Sequence, residues 1–106
     1  MGSYWTPADP RSYGPLQYRN VAGLPDRSNA GTVLLVGVLE NPTGVVPAEA
    51  ARVAPPVSYC RYTGGLIEYF IPAPTLQVRL SSSPIPLSPP YGGRPSVCPD
   101  GSIPPA

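Results

Sequence analysis

The chain contains no histidine and no lysine, and all seven of its basic residues are arginines. Histidine is the most common general base and metal ligand in proteins, and lysine supplies Schiff-base amines and the basic residue of phosphate-binding loops. The glycine motifs that bind nucleotides are also absent. These absences remove the most common catalytic and cofactor-binding arrangements. We therefore expect no enzymatic activity, no cofactor and no metal site.

Charge is also scarce, since charged residues make up 12% of the chain and its net charge is +1. This share is about half of what a typical soluble domain carries. The arginines are spread along the chain and form no basic run of the kind that nucleic-acid-binding proteins use. The six acidic residues are scattered as well, so no catalytic carboxylate pair is indicated. We expect neither a nucleic acid nor a small-molecule substrate, and a surface this poor in charge favours a chain covered by neighbouring proteins.

No apolar run is long enough to cross a membrane. The longest, from Val33 to Leu39, is far shorter than the roughly 20 residues that a transmembrane helix needs. The first residues lack the basic segment and following apolar stretch of a signal peptide. The sequence therefore predicts no membrane partner.

Proline and glycine, by contrast, are abundant, with 18 and 11 residues respectively. Proline fixes its own φ angle and pushes the preceding residue towards extended geometry. The prolines divide the chain into three zones. We predict an extended N-terminal arm over residues 1–30, a small β core over residues 31–81, and a Pro-rich C-terminal tail over residues 82–106.

The clearest local pattern lies in residues 57–71. Two stretches rich in β-forming residues flank Gly64 and Gly65, a pattern typical of a hairpin with a two-residue primed turn. The register implied by that turn places Arg61 opposite Glu68, which is a favourable cross-strand pair. The sequence thus predicts an antiparallel hairpin over 57–71 in which Arg61 and Glu68 pair structurally.

Two further strands are predicted around this hairpin. Residues 32–39 form a continuous apolar run, typical of a strand covered on both faces. Residues 76–80 alternate in polarity, which predicts a half-buried strand with Gln77 and Arg79 outward. Residues 47–54 are compatible with two helical turns or with a loop. The predicted fold class is mostly β: a small antiparallel sheet with long, extended, Pro-rich N- and C-terminal arms.

The two cysteines, Cys60 and Cys98, are candidates for a disulfide. Such a bond would tie the tail to the middle of the chain and close a loop of roughly 40 residues. The alternative is two unpaired buried thiols, as is usual in a cytosolic protein.

Aromatic residues alternate with prolines in both predicted arms, and both faces of the predicted hairpin carry apolar side chains. Tyrosine and tryptophan provide large contact areas at low entropic cost, which suits binding to another protein surface. The candidate partner-contact residues are Tyr4, Trp5, Tyr13, Tyr18, Tyr62, Tyr69, Ile85, Leu87 and Tyr91.

These features together predict a structural or assembly protein whose partners are other protein subunits, copies of itself included. The layout is similar to that of phage capsid accessory, cement or decoration subunits, which would place the protein in a virion assembled in the host cytoplasm. The alternative is a small binding module, or an extracellular or envelope structural protein, with a Cys60–Cys98 disulfide.

Overall fold

The computed structural model describes residues 1–106, and it is a small protein built mostly from short strands. Strands hold 21% of the residues and helices 14%. Every strand pair is antiparallel. The prediction of small antiparallel sheets is therefore confirmed. In chain order the elements are β1 (Tyr4–Trp5), a 3-10 helix (Pro10–Ser12), α1 (Pro15–Ala22), β2 (Val33–Leu34), β3 (Gly37–Leu39), β4 (Val46–Glu49), β5 (Ile67–Phe70), α2 (Pro74–Gln77), β6 (Val78–Leu80) and β7 (Ile85–Pro86).

The strands form three separate sheets. The largest has the order β1-β5-β4, and the other two are the pairs β2-β7 and β3-β6. The buried apolar centre is small: Cys60, Tyr62 and Cys98 form it, and Val53 and Tyr59 pack against it.

The predicted hairpin over 57–71 is wrong in its pairing. Strand β5 pairs with β4, which lies in the segment expected to be a short helix or a loop. The pairing continues at an isolated antiparallel bridge between Val53 and Tyr62. Arg61 and Glu68 therefore do not face each other, and residues 54–61 form the connection between the two paired segments.

Gly64 and Gly65 form a β-bulge instead of a turn. Glu49 faces Ile67 while Val53 faces Tyr62, so four steps along one segment match five along the other. The extra residue falls at the two glycines, whose φ angles are 71° and 97°. Both a primed turn and a glycine bulge need positive φ, so the glycine pair alone does not distinguish them.

Helix α1 satisfies the backbone donors that the bulge leaves free. The last carbonyl groups of a helix lack intrahelical partners. Here the Asn20 carbonyl accepts from the Gly64 N–H at 2.8 Å, and the Val21 carbonyl accepts from the Leu66 N–H at 3.0 Å. The helix end thus fixes the bulge, and the N-terminal zone becomes part of the core.

The predicted strand over 32–39 is divided and largely exposed. Its two halves, β2 and β3, pair with different partners, β7 and β6. Val33 is 55% exposed and Val38 is 46% exposed, so the run is not covered on both faces. The predicted strand over 76–80 begins only at Val78, because Pro74–Gln77 forms one helical turn.

Gln77 is buried, contrary to the outward orientation that the alternating pattern predicts. Its side-chain amide donates to the carbonyls of Asn41 and Thr43 at 2.8 and 2.7 Å, and its amide oxygen accepts from the Ala73 N–H. Arg79 is exposed, as expected.

The predicted extended arms are not confirmed. Residues 1–30 supply β1 and α1, and β1 lies beside β5. Residues 82–106 supply β7, and Cys98 is bonded to Cys60. Both Pro-rich ends pack against the rest of the same chain because their backbone groups and aromatic rings find partners there.

Replacing Gly64 with alanine should destabilise the fold more than the same change at Gly65. A Cβ atom at Gly64 would lie 2.4 Å from the Ala50 carbonyl oxygen, whereas at Gly65 nothing lies within 4 Å. Both changes carry the cost of positive φ, about 1–2 kcal/mol, and Gly64→Ala adds roughly 1–3 kcal/mol of overpacking. Urea unfolding midpoints measure the difference, and equal losses in the two variants would contradict the bulge geometry.

Candidate functional site

A buried ion pair between Arg19 and Asp26 lies at the centre of the molecule. The two side chains are 6% and 0% exposed, and Arg19 Nη1 is 3.0 Å from Asp26 Oδ2. The Tyr62 hydroxyl donates to the same oxygen at 2.5 Å, and the Tyr59 N–H donates to Oδ1 at 2.9 Å. The carboxylate therefore accepts three hydrogen bonds.

The same arginine also binds the C-terminal zone. Its guanidinium donates from Nη1 to the Gly93 carbonyl and from Nη2 to the Gly92 carbonyl. In the same region the Gly93 N–H donates to the Asp26 carbonyl at 2.9 Å. The ion pair thus joins α1, the loop after it, the segment before the bulge and the C-terminal zone.

The contacts of this cluster are those of a structural ion pair, because both charges are buried and hydrogen-bonded to distant parts of the chain. Burial, and then the hydrogen bond to Asp26, raises the pKa of the Tyr62 hydroxyl well above its usual value, so it stays a neutral donor. The Asp26 side chain is closed to solvent and accepts three hydrogen bonds from groups of the same chain. Among the buried side-chain nitrogen and oxygen atoms, only Arg19 Nε has no hydrogen-bond partner.

Asp26→Asn should cost about 3–5 kcal/mol of unfolding free energy, because it leaves the buried Arg19 charge without its counter-charge. Tyr62→Phe should cost less, about 1.5–3 kcal/mol, because it removes one hydrogen bond to a charged group. Asp9→Asn is the control, since the Asp9–Arg11 pair is half-exposed and surface pairs contribute little. Denaturant unfolding measures all three, and an Asp26→Asn loss no larger than that of Asp9→Asn would show that the cluster does not hold the fold.

Sequence reasoning did not find Arg19 or Asp26. The signal for α1 was nevertheless present, because Pro15 occupies the first helical position and Gly23 ends the helix with a φ of 56°. The partner of Arg19 in the C-terminal zone lies more than 70 residues away in sequence. No local pattern indicates a contact at that distance.

Some of the predicted partner-contact residues make their contacts within the chain. Tyr62 is 2% exposed, so it cannot contact a partner in the folded protein. Tyr18 lies between Tyr13 and Tyr91, with ring centroids 6.0 and 5.9 Å apart, and the Tyr91 hydroxyl donates to the Tyr13 carbonyl. These three tyrosines join the two ends of the chain. Ile85 and Leu87, in and after β7, are half-buried.

Burial also raises the pKa of one side chain in α1 and one in β5. The pKa of Tyr18 is raised, first by burial and then by the negative charge of Glu68. Burial likewise raises the pKa of Glu68. Neither group belongs to a cluster with a nucleophile or a second acid.

The other predicted contact residues lie on the β1-β5-β4 sheet. Tyr4 is 61% exposed, and its ring packs on Phe70 at 5.5 Å. On the opposite face Trp5, Tyr69 and Pro47 occupy directly facing positions on the three strands. Ile67 lies two residues before Tyr69 on the same face and is 57% exposed. We refer to Trp5, Pro47, Ile67 and Tyr69 as the aromatic sheet face.

The aromatic sheet face is exposed except at Trp5. Tyr69 is 38% exposed, Pro47 is exposed, and Trp5 is half-buried with its indole N–H bonded to the Gly2 carbonyl. A depression of about 640 Å³ adjoins Ile67, and Thr6, Val21 and Gly65 are among the residues that line it. Sequence reasoning included Trp5 and Tyr69 but omitted Pro47 and Ile67, because their place on this face depends on the β4–β5 register.

Cys60 and Cys98 are joined in a disulfide, and their Cα atoms are 5.6 Å apart. Both residues are buried beside Tyr62. Of the alternatives that the sequence left open, the structure contains the paired form, and no free cysteine is left.

No cluster of three or more histidine, cysteine or acidic residues is placed to hold a metal ion. Neither helix has the length and apolar character required to cross a lipid bilayer. Comparison of the chain with protein-family models, with curated proteins and with solved structures gave no significant match.

Proposed function

We propose that this protein is a structural subunit, not an enzyme, and that it binds other protein subunits through the aromatic sheet face. A second copy of the chain is the occupant that we assign to this face. An accessory, cement or decoration subunit of a virion would bind its neighbours through contacts of this kind. Those contacts would be made by a preformed sheet and not by extended arms.

The distribution of apolar side chains is the observation that carries this proposal. Fourteen large hydrophobic residues are exposed, whereas only six hydrophobic residues are buried. Single exposed apolar residues are normal, but a contiguous apolar patch marks an interaction surface. The aromatic sheet face is contiguous across three strands and contains tryptophan and tyrosine, which are enriched at the centres of protein interfaces.

The charge of the chain supports a second copy as the occupant. With a net charge of +1, two copies have almost no long-range repulsion to overcome. A net charge near zero favours association, whereas most soluble monomers carry more charge. Glu49, which lies opposite Ile67, is the one charged residue among the paired β4–β5 positions on this face. The centre of the aromatic sheet face is therefore apolar.

The double variant Ile67→Thr with Tyr69→Thr should weaken self-association by at least about tenfold, because it removes two large apolar contacts while keeping residues that favour strands. Sedimentation equilibrium over a range of protein concentrations measures the effect. Leu76→Thr is the matched control, since Leu76 is 86% exposed but lies on α2, away from this sheet. A wild-type protein that stays monomeric at high concentration, or an equal effect of Leu76→Thr, would overturn the proposal.

A small binding module of an extracellular or envelope compartment is the second candidate function, and the disulfide is the observation that favours it. Disulfides persist in secreted proteins and at cell and virion surfaces, and they are rare in the cytosol. This candidate requires a monomer in which the bond is essential for folding.

Reduction of the disulfide, or the double change Cys60→Ser with Cys98→Ser, should lower the unfolding free energy. The bonded cysteines are 38 residues apart, and a loop of this size corresponds to about 4 kcal/mol. Thiol labelling and denaturant unfolding of the oxidised and reduced forms measure the effect. A reduced protein of unchanged stability would count against a role in an oxidising compartment.

A further inference from the structure

Two of the seven arginines have no partner within the chain. Arg11, Arg19 and Arg79 form ion pairs with acidic residues. The Arg27 guanidinium stacks on the Tyr59 ring at 4.1 Å, and Arg94 donates to the carbonyls of two C-terminal prolines. The two that remain, Arg52 and Arg61, make no ion pair, side-chain hydrogen bond or ring contact.

Arg52 and Arg61 lie on the same side of the Val53–Tyr62 bridge. The two bridge residues are joined by hydrogen bonds of 3.1 and 2.9 Å between their backbones. Their side chains belong to the apolar centre. Because side chains alternate across a strand, the neighbours of the bridge residues point the other way, towards solvent. Arg52 and Arg61 are both exposed, and diagonal positions of this kind are about 7–8 Å apart.

The two arginines line one cleft of about 630 Å³, together with Thr63, Ala54 and the bridge residues. No acidic residue contributes to its walls. Two like charges held this close repel each other. An anionic ligand would remove that repulsion. The Thr63 hydroxyl lies in the same cleft, and its present hydrogen bond to the Gly64 carbonyl is long, at 3.4 Å.

The geometry favours carboxylates as the anionic groups. A guanidinium presents a planar fork that matches a carboxylate in a bidentate contact. Alternate side chains on one face of an extended strand are about 7 Å apart, which equals the separation expected for the two arginines. We propose that this cleft binds an extended acidic segment of a partner protein through two carboxylates at positions i and i+2.

A nucleic acid is the less suitable occupant. Binding to a phosphate backbone usually needs a row of basic groups, and stacking platforms for bases are exposed aromatic rings. Here the other arginines are engaged elsewhere, and the one aromatic residue of the cleft, Tyr62, is 2% exposed. This cleft is separate from the aromatic sheet face. An experiment that shows no peptide binding at the cleft would therefore not contradict the proposed self-association.

Fluorescence anisotropy with labelled synthetic peptides tests the proposal on the full oxidised chain. The probe peptide alternates glutamate and threonine. One control peptide has glutamine in place of glutamate, and another has its two glutamates at adjacent positions, which face opposite sides of a strand. A single-stranded oligonucleotide of equal charge is the fourth probe. We expect binding of the alternating peptide that weakens as salt is raised, and at least about tenfold weaker binding of the other three.

Arg52→Gln and Arg61→Gln should each weaken binding of the alternating peptide by about tenfold, since each removes one charge-assisted fork contact. Arg79→Gln is the matched control, because it removes one exposed positive charge on β6. All three positions are exposed, so the variants are expected to keep the thermal midpoint of the wild type. The proposal is overturned by tighter binding of the oligonucleotide, by an equal effect of Arg79→Gln, or by no binding of the alternating peptide.

Discussion

The Arg19–Asp26 ion pair is the contact on which the packing of this chain depends. A buried charge is tolerated when it is paired and its other polar atoms find hydrogen-bond partners, as Nη1 and Nη2 of Arg19 do and only its Nε does not. Meeting that requirement brings together α1, the segment around Tyr59 and Tyr62, and the backbone of Gly92 and Gly93. Few apolar side chains are buried. The polar cluster and the disulfide beside it therefore provide the stability that comes from a larger hydrophobic core in other domains. Fourteen large apolar side chains are left exposed on the surface, where they are available to partners.

The Gly64–Gly65 pair shows how far sequence patterns could predict this fold. The pattern correctly indicated a strand after the glycines, which is β5, and antiparallel pairing, because β propensity and positive φ are local properties. The strand predicted before the glycines is wrong, since only Tyr62 of that segment forms a bridge. The pattern did not indicate which segment pairs with β5, because a β-bulge and a hairpin turn both need a residue at positive φ, which glycine provides. The deciding contacts come from Asn20 and Val21, more than 40 residues earlier. The prolines misled in a similar way, because Pro15 begins a helix where an extended arm was expected.

The candidate binding surfaces were predictable to different degrees. Trp5 and Tyr69 stand out by residue type, and both lie on the aromatic sheet face. Tyr62 stands out equally but is buried, because its hydroxyl is needed by Asp26. Sequence reasoning did not find the cleft lined by Arg52 and Arg61, because it paired Arg61 with Glu68 in the expected hairpin. Only the register set by the Val53–Tyr62 bridge leaves Arg61 free and places it near Arg52.

The long sequence separation of the central contacts has a consequence for biosynthesis. The Arg19 guanidinium meets a carbonyl 74 residues further along the chain, and the Thr6 hydroxyl meets one 61 residues further along. A nascent chain emerging from a ribosome therefore cannot complete these contacts until the distant residues have been synthesised. Topologies dominated by such distant contacts fold slowly and leave apolar surface exposed meanwhile. The hydrogen bonds of the Arg19 guanidinium and the Cys60–Cys98 disulfide can form only after Gly92, Gly93 and Cys98 have left the ribosome.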